Sequence, residues 1–285
     1  MQQATRLLDQ TGPAFFRAAT QGSCGKHAQL PASVNIASLA APTFAAAARQ
    51  RTLARLGALR VWRLHVTGWR CFVTGTDTGV GKTHASLALL HALRRRHGSA
   101  FGMKPVASGA DQRKQGLRNA DAMDLQSASQ PRPEYDWVNP YCLREPTAPE
   151  IAARFEQVQI ELRGIVAAYA HLSTLSPHGV VEGVGGWMAP LSAELMQADV
   201  ARALGLPVVL VVGMRLGCIS HGLLTARAIR ADGLPLLGWI ANDIDPELAH
   251  AEAYFDTLQQ RLGLPCLGRL PHGHPAHLCE LNLPT

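Results

Sequence analysis

The sequence predicts an α/β fold, a doubly wound, mostly parallel sheet with helices on both faces. Three observations carry that expectation. From Cys71 onward, short apolar runs alternate with segments of helical period. One run, Pro207–Val212 (PVVLVV), is apolar throughout, as a strand covered on both faces must be. Polar residues also cluster where apolar runs end: Thr74-Gly75, Lys104, Glu182 and Asn242-Asp243. In sheets of this kind ligands sit at the carboxyl ends of the strands.

Each element follows from the same logic. Cys71-Phe72-Val73 is the first strand, and Ala85–Arg96 the helix after it. Ala100–Lys104 is a short strand, followed by a long polar loop with Gly109 and Gly116. A helix starts near Asp121, with Asn119 as its cap. Residues 150–171 read as one helix with Ile151, Phe155, Val158, Leu162, Ile165 and Val166 on one side. Gly179-Val180-Val181 is a strand ending at Glu182. After Pro207–Val212 come the helix Ile219–Ala231, the strand Leu236–Ala241, the helix Glu247–Leu262 and a last strand near Cys266-Leu267.

Composition narrows the function. Of 285 residues, 47% are hydrophobic and 17% charged, enough for a sizeable core. No stretch approaches the roughly 20 apolar residues of a membrane span. The six cysteines are scattered without a CxxC pair, which fits a reduced, cytoplasmic compartment rather than a disulfide scaffold or zinc ribbon. The net charge of +6 is unevenly placed: residues 1–70 hold eight Arg, one Lys and a single acid, Asp9. The remainder is slightly acidic, so neither nucleic acid nor a membrane surface is an expected partner. Residues 1–69 are expected to be a separate basic leader, and 70–285 the functional domain. For the leader three readings stand open: a disordered stretch upstream of a mis-assigned start near Val61 or Val66, an organelle-targeting peptide, or a nucleic-acid-binding arm.

Between the first strand and its helix lies Gly75-Thr76-Asp77-Thr78-Gly79-Val80-Gly81-Lys82-Thr83. Strand, glycine-rich turn, GKT and helix in that order make a P-loop, and the fold expected is of the P-loop NTPase type. The glycines let backbone N–H groups turn onto phosphate oxygens at a helix N-terminus. Lys82 would lie against the β- and γ-phosphates of ATP, and the Thr83 hydroxyl would ligate Mg²⁺. Five residues separate Gly75 from Gly81 where the usual pattern has four, so Thr76 takes the regular first position.

Only four lysines occur in the chain, and Lys82 and Lys104 fall at adjacent strand ends. Lys104 reads either as a second cation facing a phosphoryl or anionic substrate group, or as a lysine snorkelling at the sheet edge. Asp121 reads as a magnesium ligand or as an ordinary acid in a first helical turn. Glu182, before Gly183-Val184-Gly185-Gly186, stands where P-loop enzymes place the acid that holds Mg²⁺; a solvent-facing strand end is the other reading.

Taken together, GTDTGVGKT (75–83), GMKPVASG (102–109), RNADA (118–122), VNPY (138–141), EPTAPE (145–150), VVEGVGGW (180–187), VVGMRLGCISH (211–221), GWIAND (238–243) and GRLP (268–271) resemble the dethiobiotin synthetase family. The resemblance runs in order over residues 71–271. It implies that 7,8-diaminopelargonic acid, CO₂ and MgATP are converted to dethiobiotin, ADP and phosphate, through a carbamate and its mixed anhydride with phosphate. It implies Mg²⁺ ligation by Thr83, Asp121 and Glu182, and catalytic roles for Lys82 and Lys104. Nucleotide contacts would come from Gly79, Val80, Gly81, Lys82, Thr83 and His84, from Asp121, from Glu182, Gly183, Val184 and Gly185, and near the base from Asn242, Asp243, Leu270, Pro271 and His272. Thr78 and Ser108 would line the diamine pocket. A homodimer is implied, with Arg215 to Ser220 contributed across the interface. Ser220, Arg215 and Glu150 depart from the Asn, Lys and His usual at their positions.

The nearest rival class is the partition and division-site ATPases, conformational switches whose loop carries an extra lysine. Here that position is Asp77, and no basic amphipathic C-terminal helix is present. Amidoligases of related fold carry a glutaminase domain for which there is no room. His272, His274 and His277 have a spacing able to hold a divalent ion, but Pro271, Gly273 and Pro275 argue for a solvated tail without fixed geometry.

Overall fold

The computed structural model describes residues 68–284. The expectations for the leader up to residue 67, including a start near Val61 or Val66, lie outside the described residues. Trp69 already pairs with the domain: its N–H donates to His178 Nδ1 at 3.0 Å and its carbonyl accepts from Gly179 N–H at 3.0 Å.

The central sheet has six parallel strands in the order β10-β9-β8-β1-β7-β2. They are β1 (Arg70–Gly75), β2 (Phe101–Met103), β7 (Gly179–Gly186), β8 (Val208–Gly213), β9 (Leu236–Asn242) and β10 (Cys266–Leu270). Small pairs lie outside it: β3 (Val106–Ala107) with β6 (Tyr141–Cys142), and the hairpin β4 (Asp111–Arg113) with β5 (Gly116–Arg118). That hairpin falls in the stretch expected to be only loop; its turn closes through Gly116, at φ +106°.

Alternation along each buried strand splits the core in two. Phe72, Val181, Val208, Leu210, Val212 and Trp239 face one layer; Cys71, Val73, Val180, Val209, Val211 and Ile240 face the other. The second layer is covered by α1 (Lys82–His97), α2 (Ala120–Ala128) and α3 (Tyr135–Val138). The first is covered by α4 (Pro149–Glu156), α5 (Leu162–Leu175), α6 (Gln197–Leu204), α7 (Cys218–Ala231) and α8 (Ala251–Leu262). This is the doubly wound arrangement that the alternating sequence predicts.

Several expectations need correction. Residues 150–171 form two helices, because Gln157 takes a left-handed conformation (φ +56°) and Val158 N–H caps back onto the Ala153 carbonyl. The buried face is also different: Ala152, Ala153, Ile165, Ala168 and Leu172 pack inward, and Ile151, Phe155, Val158 and Val166 are exposed. Small alanines let α4 approach closely, so the larger apolar residues fall outside. The helix expected from Glu247 begins at Ala251, after His250 at φ +59°. Glu182 does not end its strand; β7 continues to Gly186. The C-terminal tail does have fixed geometry. The Arg95 guanidinium, on α1, donates to the carbonyls of His277 (2.9 Å) and Cys279 (3.2 Å), and Asn282 N–H to the Leu267 carbonyl (2.7 Å).

Candidate active site

Residues from four strands of the central sheet meet around the phosphate loop: Gly75 at the end of β1, Lys104 just after β2, Glu182 within β7 and Asn242 at the end of β9. β1 runs into the loop Thr76–Gly81, whose last residue holds φ +83°. A side chain there would collide with Asn242 Nδ2, the group at the end of β9 that donates to the Val80 carbonyl at 3.0 Å. Only glycine satisfies both the left-handed backbone and that contact. Asp77 braces the loop: its Oδ1 accepts Thr78 N–H at 2.7 Å, and its Oδ2 accepts from Arg215 at 2.6 Å.

Lys82 opens α1 and is buried, its ammonium donating to the Asp77 carbonyl at 3.0 Å. Burial first, and the neighbouring Lys104 second, lower its pKa to about 8. Incoming phosphate oxygens would stabilise a desolvated cation of this kind.

Lys104, immediately after β2, is also buried, and is not a snorkelling edge lysine. Its ammonium donates to Glu182 Oε1 at 2.5 Å and to Asp121 Oδ2 at 3.0 Å. Burial works against its charge, but Glu182 and Asp121 outweigh burial and hold its pKa above the ordinary lysine value. Asp121 behaves reciprocally: burial works to raise its pKa, but Lys104, with Thr83, outweighs burial and holds it below the ordinary carboxylate value. Thr83 Oγ1 donates to Glu182 Oε1 at 2.9 Å. Glu182 is fully buried and its Oε2 has no hydrogen-bond partner. The structure thus brings Lys82, Thr83, Lys104, Asp121 and Glu182 together.

Of the supports of this cluster, Asn119 was expected as the helix cap, whereas Tyr135 and Asn139 were not singled out in the sequence. Asn139 donates to the Lys104 carbonyl at 2.7 Å and accepts from Tyr135 Oη at 3.0 Å. Tyr135 in turn accepts Asn119 N–H at 2.8 Å, and Asn119 Oδ1 caps α2 at Ala122 N–H, 3.2 Å. The VNPY segment carries Asn139, but an asparagine before proline signals a turn as readily as a buried support.

Away from the phosphate loop, a cavity of about 740 Å³ is lined by His84, His91, Asp124, Asn242, Asp243 and the tail residues Pro271 to His277. Asp243 N–H donates to the Leu270 carbonyl at 2.9 Å, and His272 Nδ1 lies 3.2 Å from the Asp243 carbonyl. The residues expected near the base are therefore together. Gly183 and Gly185 continue β7 beside the loop, with Thr78 Oγ1 near Gly185. Ser108 bonds through its carbonyl to the Asn119 amide at 3.3 Å. Ser220 lies exposed in the first turn of α7. Among the described residues no group of three or more His, Cys, Asp or Glu is placed to hold a metal, so the tail histidines do not form such a site.

Comparison with known proteins identifies the family. A family model described as "AAA domain" matches residues 70–276. The ATP-dependent dethiobiotin synthetase BioD of Xanthomonas euvesicatoria is 60% identical over 200 residues, which is 70% of this chain and 89% of that protein. The chain belongs to the ATP-dependent dethiobiotin synthetase family. The synthetase of Xylella fastidiosa is 53% identical over 204 residues, 72% of this chain and 90% of that one. Among solved structures, a ParA family ATPase from Chlorobium tepidum aligns with a TM-score of 0.47 at 14% identity, covering 72% of this chain and 85% of that chain.

Proposed function

We propose that the chain forms dethiobiotin from 7,8-diaminopelargonic acid, CO₂ and ATP, and that the cluster of buried Lys82, Lys104 and Glu182 with the partly exposed Thr83 and Asp121 is where phosphoryl transfer happens. The observation that carries this reading is the pairing of two buried ammonium groups at the mouth of a phosphate loop, one of them held by two carboxylates.

The chemistry uses that cluster in three steps. One amine of the diamine attacks CO₂, loses a proton and becomes a carbamate anion. A carbamate oxygen then attacks the γ-phosphorus, the bond to the bridging oxygen breaks, and ADP leaves. Finally the second amine attacks the carbamoyl carbon, expels phosphate, loses its proton and closes the cyclic urea. The second step brings two anions together, so it needs concentrated positive charge. Lys82 lies at the loop that would receive the phosphates. Lys104 is positioned to face carbamate and transferred phosphoryl together, and Glu182 and Asp121 keep it protonated. Thr78 and Ser108 bound the diamine side.

The hydroxyl of Thr83 and the carboxylates of Asp121 and Glu182 are hard oxygen donors of the kind Mg²⁺ takes, and the partnerless Glu182 Oε2 fits such a role. When bound there, Mg²⁺ would neutralise charge on the phosphate oxygens.

The active unit in this reading is a homodimer. Exposed Leu216 lies within the loop Arg215 to Ser220, and exposed Met188 and Leu224 line one surface pocket together; they would supply apolar surface for a second copy. No described helix is long and apolar enough to cross a membrane, and a cytoplasmic location fits the substrates.

The test is phosphate release by the purified protein with and without diaminopelargonate and bicarbonate. Release that requires both supports the synthetase. Turnover that responds to a polymer surface instead of the diamine would return the chain to the switch ATPases.

A further inference from the structure

The strand that carries Glu182 does not run straight past its neighbour. Val73 of β1 pairs with Glu182, but Gly75 pairs with Gly186, so Gly183, Val184 and Gly185 together oppose the single residue Thr74. A bulge of this kind takes backbone groups out of the sheet ladder. Here it adjoins the fully buried Glu182, where an unpaired amide or carbonyl is costly.

Gln197, the first residue of α6, supplies the missing partners. It is 1% exposed. Its Oε1 accepts Val184 N–H at 2.5 Å, and its Nε2 donates to the Gly186 carbonyl at 2.8 Å and to Thr74 Oγ1 at 3.1 Å. Its own N–H is pinned to the Ala189 carbonyl at 3.0 Å. Gly183 makes the room: a Cβ there would sit 2.3 Å from Gln197 Oε1.

We infer that Gln197 is a positioning residue for the reaction proposed above, an inference that rests on that reading. Its amide ties the bulge after Glu182 to Thr74, the residue just before the phosphate loop. It thereby fixes the aim of the Glu182 carboxylate relative to Lys104, Thr83 and the loop. Gly186, on the far side of the bulge, faces the Gly75 and Thr76 carbonyls, so a slip there reaches the loop as well. Displacing reacting groups by about 1 Å can cost ~10²-fold in rate.

The test is Gln197→Met, which keeps the length of the side chain and removes the amide. Dethiobiotin kcat is expected to fall ~10–100-fold, the range seen when a group orienting metal ligands is lost. ATP affinity without Mg²⁺ should stay at the wild-type value, and the gain in ATP affinity on adding Mg²⁺ should shrink several-fold. Gly183→Ala pushes the same amide away from the opposite side. It should reproduce the defect, and the double variant should be no worse than the poorer single. If Gln197→Met does not fold, Gln197→Asn, whose shorter amide cannot reach the same three partners, carries the test. Wild-type kcat and wild-type Mg²⁺ dependence in the folded variant, whatever its melting temperature, would overturn the inference. Wild-type dethiobiotin formation reports separately on the functional reading. If it is absent, the Mg²⁺ dependence of ATP affinity still scores Gln197.

Discussion

At the phosphate end of the cleft, Lys104 and Glu182 are buried and their charges meet at 2.5 Å. At the far end, beside the cavity bounded by Asp243 and the tail, His272, His274 and His277 are exposed, and bonds from the Arg95 and His272 side chains to carbonyls hold the wall they stand on. The two ends obey different physics. Buried charges must be paired, so removing one leaves its partner desolvated and alone. Exposed imidazoles keep their water, so each contributes little and each is replaceable. Chemistry is thus concentrated at one end and tolerance at the other.

The largest effect should come from breaking the buried pair. Lys104→Ala is expected to lower dethiobiotin synthesis ~10²–10³-fold. It should also destabilise the fold by about 3–5 kcal/mol, because Glu182 is left buried without its cation. The double variant Lys104→Met with Glu182→Gln removes both charges. Its melting temperature should return toward wild type while synthesis stays lost. A double variant no more stable than Lys104→Ala would contradict the pairing argument.

Lys82 sharpens the contrast, since its ammonium meets only a carbonyl. Lys82→Met should lose activity to a similar degree, yet gain stability at pH 7 in the absence of nucleotide. The sign follows from its depressed pKa of about 8 against 10.5 when exposed. Below pH 8 the folded wild type carries a desolvated charge. Between pH 8 and 10.5 the folded state sheds that proton before the unfolded state does, so wild-type stability rises relative to the variant. Thermal melts of the two proteins across this range should therefore converge as pH rises. A gap that widens would mean that Lys82 is stabilised as a cation in the free protein.

Moderate and small effects belong to the exposed groups. Asp77 and Arg215 form a half-exposed pair, worth roughly 0–1 kcal/mol in stability. Asp77→Asn should keep the bond from Thr78 N–H, raise the KM for the diamine about 2–10-fold, and leave the KM for ATP near wild type. His272→Ala, the smallest change, should raise the KM for ATP no more than about 2–3-fold with kcat unchanged, as expected for one exposed contact. Steady-state kinetics with each substrate varied in turn would check both. A collapse of kcat in the His272 variant would erase the distinction between the ends.

The same contrast explains what the sequence revealed. Lys82, Thr83, Lys104 and Glu182 were legible because a charged residue at the end of an apolar run has few structural uses, and the glycine spacing named the ligand. The alternation of strands and helices gave the sheet. The break at Gln157 was not legible, because a left-handed glutamine carries no signal of its own and the apolar period ran on through it. Nor was the ordering of the tail: Pro271, Gly273 and Pro275 read as solvated chain, and what fixes them is the Arg95 side chain from a helix far away in sequence. Gln197 was hidden for a related reason, since a polar residue at a helix start looks ordinary until a bulge in another strand requires it.

The central claim is that the two buried ammonium groups serve the phosphorylation of a carbamate formed on the diamine. The most direct measurement is the amount of ADP and of dethiobiotin released together by the full-length protein, with diaminopelargonate or bicarbonate present or omitted. Equal amounts of both products, and neither when the diamine or bicarbonate is left out, is the predicted result. ADP release that continues unchanged without the diamine would contradict it.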